Sequence, residues 1–164
     1  MRKLLAILIL LAVVASVAVA PATAQSTEDA NIVQTAVAAG QFKTLTKLLK
    51  RAGLANALQQ PGPFTVFAPT DAAFKKVPKK TLSALLHNKA KLKAVLLYHV
   101  ASGKVTAAKV AKRTSVKTLN GKAVRIRLSD ANVFVNTAKV TTPDVMASNG
   151  VIHVINRVLI PPAR

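Results

Sequence analysis

Side chains able to do chemistry are sparse in this chain, and their spacing argues against a reaction centre. The carboxylates are Glu28, Asp29, Asp71, Asp130 and Asp144. No two are spaced as acid and base partners on one element. His87, His99 and His153 lie far apart, and no His-x-x-x-His places two metal ligands on one helix face. There is no Cys, which removes thiol nucleophiles, disulfide frameworks and thiolate metal sites. Neither a Gly-x-Ser-x-Gly elbow nor a phosphate-loop pattern occurs. A triad assembled from distant residues is spatial and has no sequence signature. The expectation is a protein that is not an enzyme and carries no cofactor or metal.

What the chain has in abundance is positive charge. Lys and Arg number 24 against 5 Asp and Glu, a formal +19 over 164 residues. Such a charge attracts polyanions such as nucleic acid, anionic lipid headgroups and acidic polysaccharide. The lysines are spread through every element and form no single stripe. No helix-turn-helix, zinc finger or aromatic–basic ribonucleoprotein motif accompanies them. Specific nucleic-acid recognition is therefore not expected, although non-specific polyanion binding at low salt is. Lys75, Lys76, Lys79 and Lys80 are the densest group and the candidate basic patch.

The elements that must position these residues follow from patterning. Met1-Arg2-Lys3, the apolar run Leu4–Ala20 and the small-x-small site Ala22-Thr23-Ala24 read as a secretory signal peptide over 1–24. Its removal leaves a chain of +17 with no second apolar span. Residues 25–30 form a short lead-in, in which Ser26-x-x-Asp29 fits a capping box. Ile32, Val33, Ala36 and Val37 then recur at helical spacing up to Gly40. Phe42, Leu45, Leu48, Leu49 and Ala52 make a second helical stripe, ended by Gly53. Phe64–Ala68 reads as a buried strand leading through Pro69 into a helix capped at Thr70, with Asp71 suiting its positive end. Pro78 opens a helix with Leu82, Leu85 and Leu86 on its apolar side, and Leu92, Val95 and Leu96 continue in the next. Thr106–Lys112 is one more short helix.

The period then changes to two. Ser115–Leu119 and Lys122–Leu128 read as strands joined by Asn120-Gly121, with Val124, Ile126 and Leu128 inward and Lys122, Arg125 and Arg127 mostly outward. Asn132–Asn136, Ala138–Thr142 and Val151–Ile160 are further strands. Helices first and antiparallel strands later give an α+β class.

Three segments, in order, resemble the fasciclin domain. The first is Gly62-Pro63-Phe64-Thr65-Val66-Phe67-Ala68-Pro69-Thr70-Asp71-Ala72-Ala73-Phe74. The second is Val95-Leu96-Leu97-Tyr98-His99-Val100. The third is Ser148-Asn149-Gly150-Val151-Ile152-His153-Val154-Ile155, followed by Val158-Leu159-Ile160-Pro161. The resemblance places one such domain over 31–162, with 163–164 as a tail. It implies a wedge of antiparallel strands with a packed layer of helices. It implies a secreted protein, periplasmic or extracellular or surface-associated. The implied activity is adhesion to a cell-surface or matrix protein or to an acidic polysaccharide, without cofactor or catalysis. A second possibility is a structural polycation that coats the envelope by charge alone.

The residues of these signatures divide by expected role. Phe64, Thr65, Phe67, Pro69, Thr70, Asp71 and Phe74 read as fold signature, as do Asn149, Gly150, Ile152 and His153. Leu96, Tyr98 and His99 are candidate partner contacts, since the Tyr-His region is tied to adhesion in animal members of the family. A half-buried His99 there would make binding respond to pH near its titration range. Animal integrin-binding members carry an Asp-Ile dipeptide shortly before the last signature. Asp144-Val145 stands at the matching place and is a further candidate contact.

Overall fold

The computed structural model describes residues 30–162. The expected signal peptide and the Ser26–Asp29 box lie outside those residues. Two helices open the described chain. Helix α1 spans Ile32–Ala38 and α2 spans Lys43–Ala52. Asn31 caps α1: its side chain accepts the Gln34 N–H, while the Gln34 side chain accepts the Asn31 N–H. The stripe expected on α2 is buried in full, and Gly53 ends the helix at φ +72°, a left-handed conformation that costs glycine nothing.

Strand β1 (Phe64–Pro69) follows a 3-10 turn at Ala57–Gln59. Three helices come next: α3 (Asp71–Lys75), α4 (Lys79–His87) and α5 (Lys89–Tyr98). Short β2 (Val100–Ser102) and α6 (Ala107–Ala111) lead into five strands. These are β3 (Ser115–Lys117), β4 (Ala123–Ser129), β5 (Asn132–Val135), β6 (Ala138–Ala147) and β7 (Gly150–Ile155). The α+β class read from the sequence is the observed one.

The seven strands form one sheet in the order β2-β1-β7-β6-β5-β4-β3. All neighbours are antiparallel except β1 and β7, which run parallel from Phe64↔Gly150 to Pro69↔Ile155. The wedge is thus not wholly antiparallel, because the early strand β1 is inserted beside the last one. The sheet also curls until its edges meet. Ala101 of β2 bridges Thr118, just past β3, and the Leu119 N–H donates to the Val100 carbonyl at 2.7 Å. Edge strands that reach each other leave fewer unpaired backbone groups to recruit other chains.

Alternation along the strands divides the apolar residues into two cores. Val66, Ala68, Ile152 and Val154 face the helices and pack with Ile32, Leu48, Leu92 and Leu96. Phe67, Val116, Val124, Ile126, Val135 and Ile155 fill the inside of the curled sheet, joined by Tyr98 and Leu159.

Three local expectations need correction. The last strand ends at Ile155 rather than Ile160, because Asn156 turns the chain and its side chain takes over the pairing with Lys139. Leu128 is 56% exposed rather than inward, since it sits beside the β4–β5 turn where the sheet no longer covers it. Helix α4 has no fully buried residue, and Leu82, Leu85 and Leu86 are only half covered.

Candidate functional site: a buried signature and a basic exterior

The first signature is a set of backbone fasteners. Thr65 is fully buried in β1; its hydroxyl donates to the Gly103 carbonyl at 2.6 Å and accepts the Val105 N–H at 2.9 Å. Phe67 lies inside the sheet and stacks on His153, ring centroids 5.7 Å apart. Phe74 packs in the helix-side core, Phe64 is half-buried at its margin, and Pro69 is covered at the end of β1. The Thr70 side chain accepts the Ala73 N–H, the cap expected for α3.

Asp71 departs from expectation. It lies in the first turn of α3, but its carboxylate accepts the Thr44 N–H at 2.8 Å and the Lys43 N–H at 3.3 Å. Phe42, the residue preceding α2, supplies no side-chain cap, so Asp71 caps α2 from a different element. Partial burial pushes its carboxyl up. The hydrogen bonds from Thr44 and Lys43 and the Lys43 charge outweigh that and hold it below the usual carboxylate range.

Tyr98 and His99 are both interior, each 2% exposed, as is Leu96. The Tyr98 hydroxyl donates to the Ala123 carbonyl at 3.2 Å and accepts from Asn136 Nδ2 at 3.0 Å, tying α5 to β4 and to the end of β5. His99 Nε2 accepts the Leu159 N–H at 2.9 Å. Its Nδ1 must therefore carry the proton and donate to the Val95 carbonyl at 2.8 Å. Burial lowers its pKa to about 4, against the weaker upward pull of the Val95 carbonyl. The half-buried His99 that would sense pH near neutrality is not what the fold contains. These three side chains present no free polar atom to a partner, because the interior uses them all.

The last signature behaves alike. The Asn149 carbonyl oxygen Oδ1 accepts the Ile32 N–H at 2.9 Å, and its Nδ2 donates to Leu58 at 2.7 Å and to Gln60 at 2.9 Å. One amide thus fastens α1 and the 3-10 turn to β7. Gly150 has no room for a side chain: a Cβ there would lie 2.1 Å from the Phe64 carbonyl oxygen. Ile152 is core. His153 donates from Nε2 to the Val105 carbonyl at 2.8 Å and accepts the Asp144 N–H at Nδ1, 3.3 Å away. Burial pushes its pKa down, only partly opposed by the Val105 bond and the Asp144 charge.

Asp144 sits at φ +53° in the irregular stretch of β6. Its carboxylate accepts the Ala107 N–H at 2.8 Å, at the start of α6, whose own preceding residue Thr106 provides no side-chain cap. It is a second carboxylate that caps a helix across the fold. Val145 is half-buried against the helix-side core.

The charge that remains exposed is overwhelmingly basic. Residues 30–162 hold 21 Lys and Arg against the three acids Asp71, Asp130 and Asp144. Two of those three are committed to helix ends. Lys75, Lys76, Lys79 and Lys80 are all exposed, and Lys76 Nζ donates to the Asn156 carbonyl at 3.4 Å. A shallow groove of about 400 Å³ between α1 and α2 is lined by Val37, Lys43, Lys47 and Lys50. Among the described residues no group of three His, Cys, Asp or Glu is placed to hold a metal ion, and no helix is long and apolar enough to cross a membrane.

Comparison with known proteins agrees with this architecture. The family model of the fasciclin domain matches residues 40–161. A Synechocystis protein, sll1483, is 47% identical over 84% of this chain and 78% of its own length. The transforming growth factor-beta-induced protein ig-h3 of Sus scrofa is 37% identical over 75% of this chain, which spans only 18% of that longer protein. Among solved structures, a domain pair from the insect cell adhesion molecule fasciclin I superposes with a TM-score of 0.67 at 19% identity, covering 80% of this chain and 51% of the other.

Proposed function

The chain belongs to the fasciclin domain family, and from that premise we propose that it is a non-catalytic adhesion module for an anionic partner on a cell surface or in an extracellular matrix. Kinship with an insect cell adhesion molecule supports the general role. The observation that carries the reading is the division of labour just described. The family signatures are spent on the interior, and the accessible surface offers lysines and arginines with almost no acid to neutralise them. Contact is made by the exposed cations Lys75, Lys76, Lys79 and Lys80, and not by Leu96, Tyr98 or His99. Excess positive charge steers association toward acidic surfaces. The expected secretion fits such a role, as the partner lies outside the cell.

The charge itself favours one rival reading: a polycation that coats any acidic polymer without a defined site. Retention of the chain on immobilised acidic polysaccharide, neutral polysaccharide and DNA across a salt series separates the two. An adhesion module keeps part of its binding to one support at about 0.15 M salt, beyond the reach of long-range attraction. A polycation elutes from every acidic support alike.

A further inference from the structure

Strand pairing assembles a feature that no single segment shows. On the outer face of the curled sheet, Arg127 of β4, Phe134 of β5 and Lys139 of β6 lie in one cross-strand row, paired Arg127↔Phe134 and Phe134↔Lys139. Directly opposed residues in antiparallel strands project from the same face. The inward neighbours confirm which face this is, since Val124, Ile126 and Val135 are buried in the core. Arg125, two residues from Arg127, alternates to the same outer side and is exposed. The row continues past β6. Lys139 pairs with Asn156 through its N–H to the Asn156 side chain at 2.9 Å, and Lys76 Nζ reaches the Asn156 carbonyl. Lys76 therefore joins the candidate basic patch to this row.

We propose that this row, Arg127–Phe134–Lys139 with Arg125 and Lys76 at its ends, binds an acidic polysaccharide in which charged and neutral sugars alternate. The inference rests on the adhesion reading above and gives it a site. The chemistry follows from the order of side chains. At a strand spacing of about 4.8 Å, the two cations stand roughly 10 Å apart with the ring between them. An apolar ring suits the hydrophobic face of a neutral pyranose. Arg127 pairs with a carboxylate in its fork geometry, and Lys139 serves as a point charge for the next acidic unit. Asp130, the acid of the adjoining turn, accepts a hydrogen bond from the Ser129 hydroxyl. A single-stranded nucleic acid is the less favoured occupant. Such sites stack successive bases on successive aromatics. Here Phe42, Phe67, Phe74 and Tyr98 are buried and only Phe134 stands in the row.

The test is equilibrium binding of the full chain to hyaluronan, to neutral dextran and to a thymidine oligonucleotide at about 0.15 M NaCl. Arg127→Ala and Phe134→Leu are each expected to weaken hyaluronan binding about ten-fold, while Phe134→Tyr retains it. The remote pair Lys47→Ala with Lys50→Ala removes more charge than Arg127→Ala but is expected to shift it less than about two-fold. Thermal melts check that each variant folds, and the conservative Phe134 variants keep the question open to test if a larger truncation does not. Equal losses from the remote pair and from Arg127→Ala overturn the site. Tighter binding of the oligonucleotide, lost in the same variants, reassigns the row to nucleic acid and overturns the ligand. A chain retained by other acidic supports but not by hyaluronan overturns this inference alone. A chain retained by none removes the adhesion reading beneath it.

Discussion

His99 Nε2 accepts the backbone N–H of Leu159, 60 residues further along the chain, and so locks the end of α5 to the segment that follows β7. That bond exists only for the neutral ring with its proton on Nδ1. His99 therefore has a folded pKa of about 4, below the 6.5 of an unperturbed histidine, and His153 is shifted in the same direction. Between those values the unfolded chain binds more protons than the folded one. Stability is fully present above pH 6.5 and is lost progressively as the pH falls toward about 4. His99 alone accounts for a loss on the order of 3 kcal/mol across that window. Urea melts from pH 7.5 to 4.5 should show the decline, and His99→Gln, less stable at pH 7, should show a shallower one. A flat profile would remove the buried-neutral assignment.

Asp71 and Asp144 should behave as caps. Each carboxylate meets the first backbone N–H groups of a helix whose preceding residue offers no side-chain bond. Replacement of either by Ala is expected to cost roughly 0.5–2 kcal/mol in urea melts at pH 7. The Asp71 contribution has its own pH window. Its folded pKa lies below 3.8, so its stabilisation persists above that value and disappears as the pH falls through the lowered one. The difference between the unsubstituted chain and Asp71→Ala should therefore shrink only below about pH 4, where the His99 loss is already largely complete.

Asn149 offers a sharper contrast. Asn149→Ala removes one acceptor and two donors from a buried site and should cost on the order of 2–4 kcal/mol. Asn149→Asp keeps the acceptor for Ile32 but turns an oxygen toward the Leu58 and Gln60 carbonyls, so it should be no better than Ala. Gly150→Ala places a Cβ against the Phe64 carbonyl and should cost at least about 3 kcal/mol or abolish folding. Denaturant midpoints at pH 7 check all three, and hydrogen exchange at the Ile32 amide should quicken most in Asn149→Ala, which alone removes its acceptor.

These contrasts also mark what sequence could convey. The α2 stripe was legible because its contacts recur every three or four residues, and Gly53 because only a glycine-like conformation ends that helix. The turn at Asn120-Gly121 was legible for the same local reason, and Gly121 has φ +90°. The neighbouring Ser129-Asp130-Ala131 turn was legible from its residue types too, although its positive φ at both Asp130 and Ala131 was not. Long-range relationships left no local trace. Nothing near Asp71 marks Thr44 as its partner, and nothing near Asp144 marks Ala107. The parallel pairing of β1 with β7 joins segments more than eighty residues apart. Alternation in β4 placed Arg127 outward, but only the register across β5 and β6 sets it beside Phe134 and Lys139.

The Tyr-His segment is less legible in the sequence than the elements around it. Tyr98 and His99 are chemically versatile residues within an aliphatic run, and that pattern fits a contact patch as well as a helix end tied into a core. Their burial favours the helix end, and burial depends on β4, β5 and the segment after β7, which arrive later in the chain.

The central claim is that adhesion resides on the basic exterior while the signatures hold the fold. The most direct measurement is retention on immobilised hyaluronan at about 0.15 M salt, paired with a thermal melt of each protein. Two proteins are compared with the unsubstituted chain: Tyr98→Phe, and a variant with Lys75, Lys76, Lys79 and Lys80 changed to Gln. Tyr98→Phe should lower the melting temperature, because it strips a partner from Asn136 and Ala123, yet retain binding within about two-fold at temperatures where it is folded. The four-lysine variant should melt with the unsubstituted chain and lose most of its retention. Loss of binding in folded Tyr98→Phe, with the lysine variant unaffected, would contradict the account.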